Sequence, residues 1–276
     1  MNAKVKQILS GMVLREGAGV KLRRFIGPEH GNTFDPFLLL DYFDSADPLD
    51  YIAGFPPHPH RGFETITYLL AGQIEHQDNN GHKGIIRAGD VQWMTAGRGI
   101  VHSEMPKAEG RLWGLQLWLN LPAKNKMIPP RYQEFTDQEL PRISFENGTQ
   151  IKIIAGAIGD IVSPLSEIVT QPLFLDISLP KDQSYMLEVP LSHQCILLSL
   201  EGAVRIGTEK IVDGQNLVQF DEKTTQINLH GVEEQNRFIL ICARRIKETI
   251  ARLGPFVMNS SSELSQAIED FKNNRF

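Results

Sequence analysis

The chain has 276 residues, 41% of them apolar and 22% charged, with a formal net charge of −5. That length holds one large or two ordinary domains with a real core, and the absence of a basic excess argues against direct binding to nucleic acid. No run approaches the roughly 18 uninterrupted apolar residues of a membrane span, and no apolar stretch near the N-terminus ends in a signal-type cleavage site. The two cysteines, Cys195 and Cys242, sit inside apolar runs. They are too few for a disulfide scaffold and fit buried thiols of a cytoplasmic protein.

In chain order, the apolar segments are short, rich in branched residues and bounded by Gly, Pro, Asn or Asp. They run VKLRRFIG from Val20, TITYLLAG from Thr65, IIRAGDVQWM from Ile85 and LQLWLNL from Leu115, then IKIIAGAIG from Ile151, LFLDISLP from Leu173, CILLSLEG from Cys195, QINLHG from Gln226 and FILICA from Phe238. This density of short runs and turns predicts an all-β protein. The clearest alternation puts Leu115, Leu117, Leu119 and Leu121 on one strand face and Gln116, Trp118 and Asn120 on the other. The segment from Ala123 to Pro141, with its Pro129-Pro130 pair, reads as a connector. At the C-terminus, Ser260 and Glu263 have capping-box spacing ahead of Leu264, Ala267, Ile268 and Phe271, which predicts one amphipathic helix.

A faint internal repeat relates LLAGQIEH and AGDVQWM to LSLEGAVRIG and DGQNLVQF, so that Gly72 matches Gly202 and Gly89 matches Gly214. Two similar β units in one chain predict a duplicated barrel, divided here as residues 1–130 and 131–276, with the helix closing the second.

Six of the eight histidines lie in the first half. In Phe55-Pro56-Pro57-His58-Pro59-His60, alternation along an extended chain aims His58 and His60 at one face, and the prolines stiffen the approach. In His102-Ser103-Glu104 the same spacing pairs an imidazole with a carboxylate. If the two strands are neighbours, His58, His60, His102 and Glu104 form a three-nitrogen, one-oxygen set suited to one divalent first-row metal, with positions left for substrate and dioxygen. Counting through the repeat puts Glu188, Pro190, Ile227 and Leu229 at the matching places, so one site is expected, in the first barrel. His76 and His82 flank a turn and read as surface or pocket-rim residues; His193 and His230 read as structural. Arg61 could orient a second carboxylate around the ligands.

The motifs HPHRGFETITYLLAG from His58, GDVQWMTAGRGIVHSEMP from Gly89, GLQLWLNLP from Gly114, PRYQEF from Pro130 and GPFVMNS from Gly254 resemble the pirin family, a branch of the cupins, over nearly the whole chain. The resemblance implies two jelly-roll-like cupin barrels packed face to face with a C-terminal helix. It also implies a single metal, Fe2+ by family habit although Mn, Ni, Cu, Zn or Co suit the same donors, in the N-terminal barrel on His58, His60, His102 and Glu104. The general cupin pattern would take its carboxylate from Glu64; pirins take it from the second motif, which favours Glu104.

Two functions follow from that resemblance. One is a dioxygenase of the quercetin 2,3-dioxygenase (quercetinase) kind, with a flat aromatic flavonol and dioxygen as substrates and Glu104 as catalytic base. The other is a non-enzymatic iron-dependent regulatory or redox-sensing protein that binds a transcription factor or metabolic enzyme. A monomer is expected in either case.

Overall fold

The computed structural model describes residues 3–207 and 210–276. The chain is mostly strand, with one α-helix, Ser261–Lys272, among the described residues. It divides into two compact units: Met12–Asp137 with Ile246–Phe276, and Met1–Gly11 with Gln138–Arg245. The units therefore exchange ends relative to the division at residue 130. The N-terminal strand Val5–Leu9 joins the unit of the chain's second half, and the helix belongs to the unit of its first half.

Each unit pairs a seven-stranded antiparallel sheet with a four-stranded one. In the first, the large sheet runs Arg131–Phe135, Val91–Thr95, Phe63–Ala71, Leu112–Asn120, Phe37–Ser45, Val20–Ile26, Met12–Glu16. Its small sheet runs Phe55–His60, Ile100–Pro106, Gln73–Asp78, Lys83–Arg87. The second unit repeats this order, from Val5–Leu9 and Leu217–Phe220 through His193–Glu201, Gln235–Arg244, Leu173–Pro180 and Gln150–Ala155 to Arg142–Ser144, beside Ser184–Glu188, Gln226–Gly231, Ala203–Ile206 and Lys210–Asp213. The strand Arg131–Phe135, which the proline content had assigned to a connector, takes the edge place that Val5–Leu9 takes in the other unit.

The repeat holds down to register. Pro106 pairs with Ile74 and Glu104 with His76 in the first unit; Gly231 pairs with Val204 and Leu229 with Ile206 in the second. Gly72 and Gly202 stand at matching turns with φ of 83° and 69°, a region that an L side chain rarely adopts. Opposite His102 stands His58, and opposite Ile227 stands Leu187. Counting had selected Glu188, one residue away. That residue projects to the other face and is exposed, because a one-residue difference in loop length flips the side chain of an extended strand.

The two interiors differ in chemistry. The second unit is filled by Leu187, Ile206, Val218, Phe220, Ile227, Leu229 and Leu240 with Cys195 and Cys242 among them, all buried. Both cysteines are free thiols. In the first unit the strand Leu112–Asn120 turns Leu115, Leu117 and Leu119 into apolar packing at 0% exposure, while Gln116 and Trp118 face the side that carries Glu104. No helix among the described residues is long and apolar enough to cross a membrane.

The C-terminal helix starts as its capping box predicts: the Ser260 hydroxyl accepts from the Glu263 backbone N–H at 3.3 Å, and the Glu263 carboxylate accepts from the Asn259 N–H at 3.0 Å. Of the apolar stripe only Ala267 is fully buried. The helix is also fastened by charge, since Asp270 receives the buried Arg61 guanidinium at 2.8 Å.

Replacing Leu117 by Ala is expected to lower stability by about 2–5 kcal/mol, the range for a fully buried leucine. Urea unfolding followed by fluorescence checks this; a loss under 1 kcal/mol, roughly the value of a surface change, would contradict the packing.

Candidate metal centre

The strand that carries His58 and His60 contains Pro56, Pro57 and Pro59. It lies at the edge of the four-stranded sheet with Ile100–Pro106 as its neighbour. An edge is where a strand with so few amide donors can sit without breaking a ladder. Register then does the rest: His58 faces His102, and His60 faces Ile100. A bulge between His102 and Glu104 sets Glu104 against Phe55. Alternation puts all four predicted side chains on the inner face of the small sheet.

The three imidazoles converge. Ring centroids are separated by 4.7 Å for His58–His60, 4.5 Å for His58–His102 and 5.0 Å for His60–His102. One ring nitrogen of each lies within 4.8 Å of the others, which is the spacing of donors around one ion. The His58 Nδ1 sits 2.8 Å from the Pro56 carbonyl. A carbonyl only accepts, so Nδ1 carries a proton and Nε2 is the nitrogen of this ring available to a metal. His60 and His102 are buried, and none of their four ring nitrogens has a hydrogen-bond partner. Burial, reinforced by the neighbouring imidazoles, pushes both rings well below the ordinary histidine range. They are held neutral, the form that binds a metal.

Glu104 is buried beside them, with its carboxylate oriented from the large sheet. Its Oε1 accepts from the Thr67 hydroxyl at 3.0 Å and its Oε2 from the Gln116 amide at 2.8 Å. The Gln116 amide is fixed in turn, because its oxygen accepts from the Trp118 indole N–H at 3.1 Å. The carboxylate stands outside the group of three mutually close imidazoles, but each oxygen accepts one hydrogen bond here and has capacity for a further partner.

Glu64 lies on the opposite face of its strand from Thr67. Its Oε1 accepts from the Thr95 hydroxyl at 2.7 Å, and burial raises its carboxyl to about 7. Arg61, next to the ligand strand, does not reach a carboxylate around the histidines. Its guanidinium bonds the Arg98 carbonyl and Asp270, and lies 4.3 Å from the Phe276 ring centre. His193 and His230 lie in the other unit, where their ring nitrogens meet the Gln171 carbonyl and the Ser184 hydroxyl. His76 is not on a surface or rim: it is fully buried, and joins His82 and Glu134.

Phe63 and Trp118 flank His60 with ring centres 5.2 and 5.1 Å away, and pack on each other at 4.4 Å. Leu38, Val257 and Ile250 extend this apolar wall.

Family models match the chain twice, as pirin over residues 19–119 and as the pirin C-terminal cupin domain over residues 174–276. The chain belongs to the pirin family. Among its relatives, a pirin-like protein of Caulobacter vibrioides is 41% identical over 274 residues, covering 99% of this chain and 98% of that one. Human pirin is 40% identical over 263 residues, covering 94% and 88%. The crystal structure of a quercetin 2,3-dioxygenase from Acinetobacter baumannii matches with a TM-score of 0.93 at 33% identity, over 100% of this chain and 99% of that one. The duplicated β units are thus the two cupin domains of a pirin, and the donor groups lie in the first.

Thr67, Gln116 and Trp118 were not singled out from sequence. The only signal for them is parity, since they fall on the inward face once the strands are registered on Glu104.

Glu104→Gln is expected to reduce metal retention after dialysis by at least about tenfold, the effect of losing a ligand or its close support, whereas Glu64→Gln leaves it unchanged. The second substitution should instead alter the pH dependence of stability. Because the folded-state value of Glu64 is raised, its contribution is complete below the unfolded value near 4.5 and is lost as pH rises through about 7. Thermal unfolding of Glu64→Gln between pH 4.5 and 7 should be flatter than that of the native chain.

Proposed function

We propose that this pirin holds one divalent metal, iron by preference, on His58, His60, His102 and Glu104, and uses it to oxygenate flavonol-type substrates such as quercetin. The observation that carries this reading is the convergence of three imidazoles, two of them buried with no other partner for their nitrogens. The name and close likeness of the Acinetobacter enzyme support the substrate class. A redox-active ion there would supply what closed-shell organic molecules lack in reacting with triplet dioxygen, a partner for one-electron exchange.

The protein's own groups have three tasks. Glu104, oriented by Thr67 and Gln116, accepts the proton of the flavonol 3-hydroxyl. The half-buried Trp118, backed by the fully buried Phe63, offers an aromatic face against which a flat ring system lies and from which water is displaced. The Trp118–Gln116–Glu104 hydrogen-bond chain couples that wall to the base, so substrate position and proton acceptance are set by the same strand. The overall reaction inserts both atoms of dioxygen, opens the central ring and releases one carbon as carbon monoxide.

The test is anaerobic loading with quercetin followed by oxygen. Carbon monoxide equal to the flavonol consumed is expected, together with loss of both turnover and bound metal in His60→Ala. No carbon monoxide from the iron, manganese, nickel and copper forms would leave the regulatory reading in place of the enzymatic one. Trp118→Ala should raise KM for quercetin by about tenfold, as for loss of an aromatic stacking partner, which steady-state kinetics measures.

A further inference from the structure

The first unit contains a second group of metal-type donors outside the proposed centre. His76 lies on Gln73–Asp78, His82 on the turn before Lys83–Arg87, and Glu134 on Arg131–Phe135 of the large sheet. Their donor atoms lie within 4.8 Å of one another. The His76 Nε2 is 2.7 Å from Glu134 Oε1, and the His82 Nε2 is 3.4 Å from Oε2.

The His76 Nε2 meets only this carboxylate contact, and its Nδ1 has no partner although the side chain is fully buried. The other parts are braced. Gln92 donates to Glu134 Oε1 at 2.6 Å, and the His82 ring stacks on Tyr132 at 4.5 Å. His76 pairs across the sheet with Gly84, where any Cβ would come within 2.3 Å of Nε2. The glycine keeps the approach to that nitrogen open.

A purely structural role is the competing explanation, and the duplicated fold weighs against it. By register, the places of His76, Gln92 and Glu134 are taken in the other unit by Ile206, Val218 and Ile8. The scaffold is therefore built without polar groups there.

We propose that His76, His82 and Glu134 form a second divalent-cation site, distinct from the three-imidazole centre, which takes a borderline first-row ion of the zinc or cobalt class. Two imidazoles and one carboxylate are a donor set such ions accept, leaving one or more positions to water. The side chains of His82 and Glu134 are 41% and 34% exposed, which gives the ion a path from solvent. The site is independent of whether the chain oxygenates flavonols.

Metal-free protein is titrated with cobalt(II), and bound metal is measured by elemental analysis and visible absorption. The native chain is expected to take two equivalents. The His58→Ala/His102→Ala variant should keep one, and adding His82→Ala and Glu134→Gln to it should abolish binding while circular dichroism is unchanged. A double variant that folds but binds none, or a fourfold variant that still binds one, would each overturn the proposal. Should the fourfold variant not fold, His82→Ala/Glu134→Gln in the native chain decides: one equivalent is expected, and two would overturn it. Because that variant keeps the first centre intact, failure of one site is distinguished from failure of the other.

Discussion

Four buried imidazole nitrogens, those of His60 and His102, have no hydrogen-bond partner. Each polar atom taken out of water and left unpaired costs about 1–3 kcal/mol, and a folded protein has only about 5–15 kcal/mol of net stability to offset such terms. Protonation is no remedy, since burial and the mutual proximity of the rings disfavour the charged form. A cation bound through one lone pair of each ring would satisfy one nitrogen of each, and His58, whose Nδ1 donates to the Pro56 carbonyl, stands beside them as a third candidate donor. The remaining features of the first unit follow from holding these rings in place: an edge strand that tolerates prolines, a bulge that admits Glu104, and Thr67 and Gln116 reaching across from the facing sheet.

The two units share strand order and register yet differ in what fills them. Where the first has His58, His102, Glu104 and His76, the second has Leu187, Ile227, Leu229 and Ile206. The second interior is an ordinary apolar core and draws its stability from burial. The first gives up part of that stabilisation by placing imidazoles and a carboxylate inside. Polar inward residues are thus a property of one copy and not of the architecture.

Much of this was legible in the sequence, for reasons that can be named. His-x-His and His-x-Glu keep their i, i+2 spacing in any extended strand, so their convergence needed only that two strands be neighbours. The capping box of Ser260 and Glu263 is local and formed as spaced. What depended on distant pairing was not legible. Val5–Leu9 and Arg131–Phe135 each fill the edge of a sheet through contacts that no local pattern encodes, so the simple division at residue 130 missed the exchange of ends. His76 looked like a turn residue because its burial comes from Glu134, far along the chain. The apolar stripe of the C-terminal helix is a local pattern, whereas the Arg61–Asp270 ion pair that also fastens the helix joins residues far apart in sequence.

The central claim is that one ion is shared by three imidazoles. An anomalous-difference map from crystals of the iron-loaded protein tests it most directly. The account predicts a peak about 2.0–2.2 Å from one ring nitrogen each of His58, His60 and His102, the usual range for imidazole on a first-row ion, with the Glu104 carboxylate turned toward it. Density bridging only one of these rings, or iron bound elsewhere while the three imidazoles stay free, would contradict it.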